Sequence, residues 1–239
     1  MAQESEAKAD WRSQILEVQQ PLDAAVRRYS RLAPVYELWA RITEARPRRR
    51  VLELAEVRDG EAILEVASGT GAQLAVLAQR NPSGRTVGLE LAEGMLAQTR
   101  KRLSAAGLAG VELVCGNALE LPFEDESFDL VVNGYMLDLL ARDDIPRALA
   151  EFKRVMRPGG RLVLSNMTKG ERRRHRIWDS LYSHGLNLTA NCRGVLAVPL
   201  LAELGFTDLR REYMAQMLFP TELVTARRPL LDSPGDAEK

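Results

Sequence analysis

The sequence predicts an α/β protein: a mostly parallel seven-stranded sheet with an antiparallel C-terminal hairpin strand and an N-terminal helical extension. Three observations carry this. From Glu61 onward, short apolar runs alternate with longer helical segments, the pattern of parallel strands covered by helices on both faces. Before that point, from Trp11 to about Ala55, apolar residues recur at helical spacing. Near the C-terminus, two strand-like runs lie too close together for a parallel crossover and can pair only antiparallel. At 239 residues, one large domain is expected.

Residues 1–10 are polar and read as a disordered tip. The extension over residues 11–55 carries Ile15, Val18, Leu22, Ala25, Val26 and Tyr29, with breaks at Pro21 and Pro34, so two or three helical pieces are expected. Strands are predicted at Ala62 to Ala67, Arg85 to Glu90, Val111 to Cys115, Phe128 to Val132 and Arg161 to Asn166. Helices are predicted at Gln73 to Arg80, Glu93 to Ala106 and Ile145 to Met156, the last closed by the Pro-Gly stop "RPGG". The stretch from Thr168 to Gly194 has weak periodicity. Val195 to Leu204 then reads as helix, and Thr207 to Leu218 and Leu223 to Ala226 read as strands separated by "FPTE". Residues 231–239 form a flexible tail on this reading.

Composition narrows the function. With 33 basic and 33 acidic residues, no overall field draws the chain to nucleic acid. The two cysteines, Cys115 and Cys192, fit neither a disulfide framework nor a metal-ligand pattern, so no metal is expected. They imply a reduced, cytoplasmic setting and are expected to be buried as small apolar residues. No run approaches the roughly 18 apolar residues of a membrane span, which leaves contact with a membrane surface open.

Chemistry concentrates first in "ILEVASGTGAQL", Ile63 to Leu74. Gly69 and Gly71 fit a turn at the carboxyl end of the first strand, where open α/β sheets bind ligands. A dinucleotide fingerprint is not met, because the third glycine position holds Leu74. No Gly-Lys-Ser/Thr follows, so a phosphate loop is a weaker reading still. Nineteen residues after Gly71, the second strand ends in Glu90, a carboxylate able to accept hydrogen bonds from both hydroxyls of a ribose. The third element is "CGNALELPFEDESFDLVV", which places Asn117-Ala118 just past strand three and a Leu-Pro-Phe turn before strand four.

Together with "GLELAEGMLAQTR" and "RVMRPGGRLVLSN", these segments resemble the class I S-adenosylmethionine-dependent methyltransferases over roughly Glu61 to Asn166. Within that superfamily the chain is similar to the ubiquinone/menaquinone-type (UbiE-like) branch. Ala67 stands in place of the usual first glycine, "NALELPF" follows that branch's pattern, and "YSRLAPVYELW" is similar to its N-terminal tyrosine segment, with Glu37 replacing the usual aspartate. The resemblance implies a Rossmann-like methyltransferase fold over residues 56–230 and S-adenosyl-L-methionine as cofactor. It implies that Glu65 and the loop Ala67, Ser68, Gly69, Thr70 and Gly71 surround the cofactor's methionine end. Glu90 and Leu91 would meet the ribose, Asn117 and Ala118 the adenine edge, and Asn133 and Gly134 the sulfonium region, with Tyr29 closing from the extension. The implied acceptor is a small or lipophilic molecule such as a quinol.

Structural readings stand beside these. Glu65, a carboxylate inside an apolar strand, also suits a structural hydrogen-bond role. Tyr29, Tyr36 and Trp39 share a spacing common in cores. Tyr135, just after strand four, and His184, in the variable stretch, are the candidate catalytic groups; His184 equally suits a structural histidine, and His175 a solvated helix face. The runs at Arg46 to Arg50 and Glu171 to Arg176 read as solvated surface or as contacts to anionic headgroups. Other functions left open are phosphatidylethanolamine-type N-methylation at a membrane, and a non-catalytic cofactor- or partner-binding module.

Overall fold

The computed structural model describes residues 15, 17, 18, 24, 27, 44–171, 193–216 and 219–230. Tyr29, Tyr36, Trp39, His175, His184, Cys192 and the two termini, for which the sequence carries expectations, lie outside the described residues.

Helix α1 spans Ala45–Leu54 and is followed by β1, Ala62–Val66. The alternation then runs α2 (Ala72–Arg80), β2 (Arg85–Glu90), α3 (Glu93–Ala105), β3 (Glu112–Cys115), β4 (Phe128–Gly134), α4 (Ile145–Val155) and β5 (Met156–Met167). After α5 (Ala197–Glu203) come β6 (Thr207–Gln216) and β7 (Phe219–Arg227). The strands form one sheet in the order β3-β2-β1-β4-β5-β7-β6. Strands β1 to β5 pair in parallel, and β7 is antiparallel to both β5 and β6. Only two residues separate β6 from β7, which permits no other pairing.

Side-chain alternation divides β1 between two cores. Leu64 and Val66 join Leu149, Phe152 and Leu200 of α4 and α5 on one face. Ile63 meets Val51 and Leu52 of α1 and Leu77 of α2 on the other. Glu65 shares that second face, which decides what surrounds it. The helix α1 is fastened to the far edge of the sheet by polar contacts: Arg50 pairs with Glu212 through two hydrogen bonds of 2.8 Å, and the Arg46 amide donates to Gln216 Oε1 at 2.8 Å.

Three sequence expectations are corrected. "RPGG" does not separate helix from strand: β5 already begins at Met156, opposite Phe128, and a register shift before Leu130 absorbs the Pro-Gly pair. There the Gly159 amide, at φ +75°, donates to Arg228 O at 2.9 Å. "FPTE" is not a spacer but the start of β7. Pro220 is tolerated near the strand end, where its carbonyl accepts from the Thr168 amide at 3.1 Å. Cys115 is exposed rather than buried, because β3 is an edge strand with no neighbour beyond it.

Candidate active site

Strand order reverses between β1 and β4, and the chain leaves their carboxyl ends in opposite directions. This is the switch point at which doubly wound sheets form a crevice. The loop after β1 lines it. Ala67, Gly69 and Gly71 all take positive φ (57°, 57° and 73°), so the backbone turns sharply three times in five residues. A Cβ on Gly69 would meet nothing within 4 Å, whereas one on Gly71 would lie 2.5 Å from Thr99 Cγ2. Gly69 therefore faces open space and Gly71 is packed. From α3, Thr99 Oγ1 donates to Gly69 O at 2.8 Å and Arg102 Nε to Thr70 O at 2.9 Å. The loop's carbonyls are thus held from behind.

Glu90 holds its amides. Its Oε2 accepts from Gly69 N and its Oε1 from Ala92 N, both at 2.9 Å. Burial pushes this carboxyl above its ordinary value, against the pull of those amides. Each oxygen retains a further lone pair. The Gly116 amide donates to Glu90 O at 3.2 Å, bringing the Asn117-Ala118 turn alongside. In that turn Asn117 Oδ1 accepts from Leu119 N at 3.0 Å, Asn117 itself is exposed and Ala118 is buried. Leu91, following Glu90, is half-buried.

A cleft of about 60 Å³ opens between this loop, α1 and the ends of β4 and β5. Glu65 lies in its wall, 4% exposed. Its Oε1 accepts from Gln73 Nε2 at 3.0 Å, while Oε2 is buried with no hydrogen-bond partner. Burial pushes its carboxyl up to about 8, moderated by the Arg48 guanidinium and the Gln73 amide. Arg48 comes from α1 and pairs with Glu44 Oε2 at 3.2 Å; both line the cleft.

Opposite stand Gly134, Tyr135 and Ser165. Tyr135 takes φ +52° and is held by its amide on Ser165 O at 2.7 Å and by its hydroxyl against Thr221 Oγ1 at 2.9 Å. Burial, and then the Glu44 charge, raise the phenol well above its ordinary value, so it keeps its proton. That suits a wall or a hydrogen-bond donor, not a base. Asn133 is fully buried behind Gly134: its Nδ2 donates to Val66 O at 2.8 Å, and its Oδ1 has no partner.

The structure thus brings Glu65, Ala67, Ser68, Gly69, Thr70, Gly134 and Tyr135 to one cleft, with Glu90 holding its loop. Asn117 and Ala118 lie beside Glu90, outside that cleft lining. Sequence reasoning missed Glu44, Arg48, Gln73, Thr99 and Ser165. Thr99 had a readable signal, a polar residue among the apolar positions Met95, Leu96 and Leu103 of α3. The others meet only through packing of distant segments.

Residues 63–160 match the family described as a methyltransferase domain. The match takes in 98 of the 239 residues. The chain is similar to curated demethylmenaquinone methyltransferases. The demethylmenaquinone methyltransferase of Symbiobacterium thermophilum is 40% identical over 124 residues, covering 51% of this chain and 48% of that protein. Its counterpart from Thermus thermophilus is 39% identical over 140 residues, covering 57% of this chain and 62% of that one. The chain therefore spans about half to three fifths of the relatives' length. Among solved structures, the cyclase SpnF superposes with a TM-score of 0.62 at 20% identity, covering 78% of this chain and 82% of that one. That likeness shows the fold, and a cyclase on it illustrates why the site must carry the functional argument. The matched stretch contains the glycine loop, Glu90 and the Asn117-Ala118 turn.

Proposed function

We propose that the chain transfers a methyl group from S-adenosylmethionine to a small lipophilic acceptor of the quinol class. One observation carries the donor: an unpartnered, buried carboxylate oxygen, Glu65 Oε2, in a cleft whose glycine loop is held by a second carboxylate, Glu90. A cationic amino acid joined to a nucleoside fits this donor set. Glu65 Oε2 would accept from its ammonium, Arg48 would face its carboxylate, and the remaining lone pairs of Glu90 would accept from the ribose hydroxyls. Asn117 and Ala118 would border the base. The names of the curated relatives support the acceptor class.

When bound, the cofactor supplies a methyl group on a positively charged sulfonium, activated for in-line displacement. The chain's part is orientation and exclusion of water. An ammonium held at Oε2 would favour the ionised Glu65 carboxylate, its proton passing to solvent. Tyr135 keeps its own proton and presents a rigid wall, since its hydroxyl is engaged by Thr221 and its backbone by Ser165. Asn133 ties β4 to β1 beneath Gly134, fixing the cleft floor.

Among the described residues no helix is long and apolar enough to cross a membrane. A lipophilic acceptor would be met from a cytoplasmic position at a bilayer surface, and the Arg49 side chain, 85% exposed, lies on the outer side of α1. The test is incubation with methyl-labelled cofactor and a panel of quinols, phospholipids, thiols and amines, followed by mass spectrometry. Label is expected in a quinol. Label in phosphatidylethanolamine instead would overturn the acceptor class, and no binding of S-adenosylhomocysteine by calorimetry would overturn the donor.

A further inference from the structure

Helix α1 lies across one face of the sheet, and the stripe it turns toward the core changes character along its length. In its later turns the stripe is apolar: Val51, Leu52 and the following Ala55 pack with Ile63, Leu77, Val163 and Leu223. One turn earlier it carries Arg48, with Glu44 at the N-cap, and these two line the cleft beside Glu65. Residues three and four apart share a helix face. Whatever fixes the rotation and advance of α1 therefore fixes where these two charges stand.

Apolar packing keeps helix and sheet together but is non-directional. Directional bonds set the rest. The C-terminal half of α1 is held by Arg80 Nη1, which donates to Leu52 O at 2.6 Å, and by Arg161 Nε, which donates to Ala55 O at 3.4 Å. The N-terminal half is held by β6. Arg50 Nε and Nη2 donate to Glu212 Oε2 and Oε1, both at 2.8 Å, and the Arg46 amide donates to Gln216 Oε1 at 2.8 Å. At about 100° per residue, Arg50 stands about 200° around the helix from Arg48, on the flank away from the cleft. A fork of two parallel bonds there fixes orientation as well as distance. Glu212 is opposite Leu223, which is opposite Ser165 of the cleft wall, so the pair and the cleft are two strand spacings apart, about 10 Å.

We infer that Arg50 and Glu212 are a positioning pair: by fixing α1 they set where Arg48 and Glu44 stand beside Glu65, and so set the affinity of the cleft for the methyl donor. The inference rests on the methyltransferase reading above. Neither side chain belongs to the cleft lining, and the effect passes through α1.

The groups around Glu65 are Gln73 of α2, Arg48 and Glu44 of α1, Glu90 at the end of β2, and Tyr135 after β4. Of the two α1 charges, Arg48 is the one that weighs on Glu65, favouring its ionised form. A displaced α1 therefore raises the pH at which Glu65 ionises. The test compares Arg50→Met, the conservative Arg50→Lys, Glu212→Gln and the double variant Arg50→Met/Glu212→Gln with the unaltered chain. The S-adenosylhomocysteine Kd is measured by calorimetry across pH, and urea-unfolding free energy across the same range. The pair is 37% and 42% exposed, so for Arg50→Met the Kd near neutral pH is expected to rise about fivefold, the upper end for such an ion pair. The midpoint of its pH dependence should move above its value of about 8. Arg50→Lys should recover part of both changes, and the double variant should be no worse than the more affected single. An unchanged Kd, a higher Kd with the pH midpoint unmoved, or a double variant showing the product of both single effects would overturn the inference. If the unaltered chain does not bind S-adenosylhomocysteine, the donor reading fails by itself. The pair is then judged by unfolding: an upward shift of the Glu65 midpoint in Arg50→Met upholds the positioning, and an unaltered midpoint overturns it.

Discussion

Glu65 shows how one side chain can oppose two functions through a single proton. Its carboxyl titrates near 8 in the folded protein against 4.5 ordinarily, because burial disfavours the charge more than Arg48 and Gln73 favour it. The folded state therefore keeps a proton that the unfolded chain gives up. The associated stability is fully present below pH 4.5 and is lost as the pH rises to about 8. Affinity for a ligand ammonium has the reverse slope, growing over the same range as Oε2 ionises. Glu65→Gln should flatten both profiles, measured as urea-unfolding free energy and as the S-adenosylhomocysteine Kd between about pH 3.5 and 9, a window reaching about one unit beyond the ordinary and shifted values. A variant as pH-dependent as the unaltered chain would exclude this carboxyl as the titrating group. In the sequence, Glu65 was legible as an oddity in an apolar strand. Its partners were not, because Arg48 stands 17 positions earlier, on a helix whose docking no local pattern specifies.

At the scale of elements, charge pairs of the same type do different amounts of work according to where the elements put them. Arg161 of β5 meets Glu61, just before β1, through two bonds of 2.8 Å, and both side chains are nearly buried, at 11% and 12% exposure. Arg49 and Glu53 of α1 form an exposed pair along one helix face. Arg161→Ala strands a desolvated carboxylate and should cost about 2–4 kcal/mol by urea denaturation. Arg49→Ala should cost less than about 0.5 kcal/mol, and equal losses would refute this reading. The elements themselves were largely legible: β2 has the bounds its apolar run suggests, and helices α2 to α5 fall within a residue or two of their periodic stretches. The misreadings cluster where proline or glycine sits inside a strand. "RPGG" and "FPTE" look like breaks to a local rule, yet a bulge beside β4 and a strand-end position in β7 accommodate them.

For the whole molecule, a cleft built from β1, β2, β4, β5 and α1 couples ligand occupancy to global stability. S-adenosylhomocysteine at a hundred times its Kd should add about 2.7 kcal/mol, a rise in Tm of roughly 5–10 °C for a chain of this size. Glu90→Ala, which frees the amides of Gly69 and Ala92, should abolish that rise, as read by differential scanning calorimetry. A retained shift would remove Glu90 from the site. The order of the sheet carries a consequence for how such a molecule is made. Of the seven strands in the sheet, the last in sequence, β7, lies between β5 and β6. Until it emerges from the ribosome, β6 has no partner in the sheet, β5 exposes an open edge, and neither Thr221 nor Glu222 is in place. A nascent chain stalled before Phe219 would hold its glycine loop and Glu90 but lack the β7 side of the cleft. The glycine loop and Glu90 are thus synthesised ahead of the strand that secures Tyr135 and the start of α5, and that strand is both the last part of the sheet to be translated and the part that closes it.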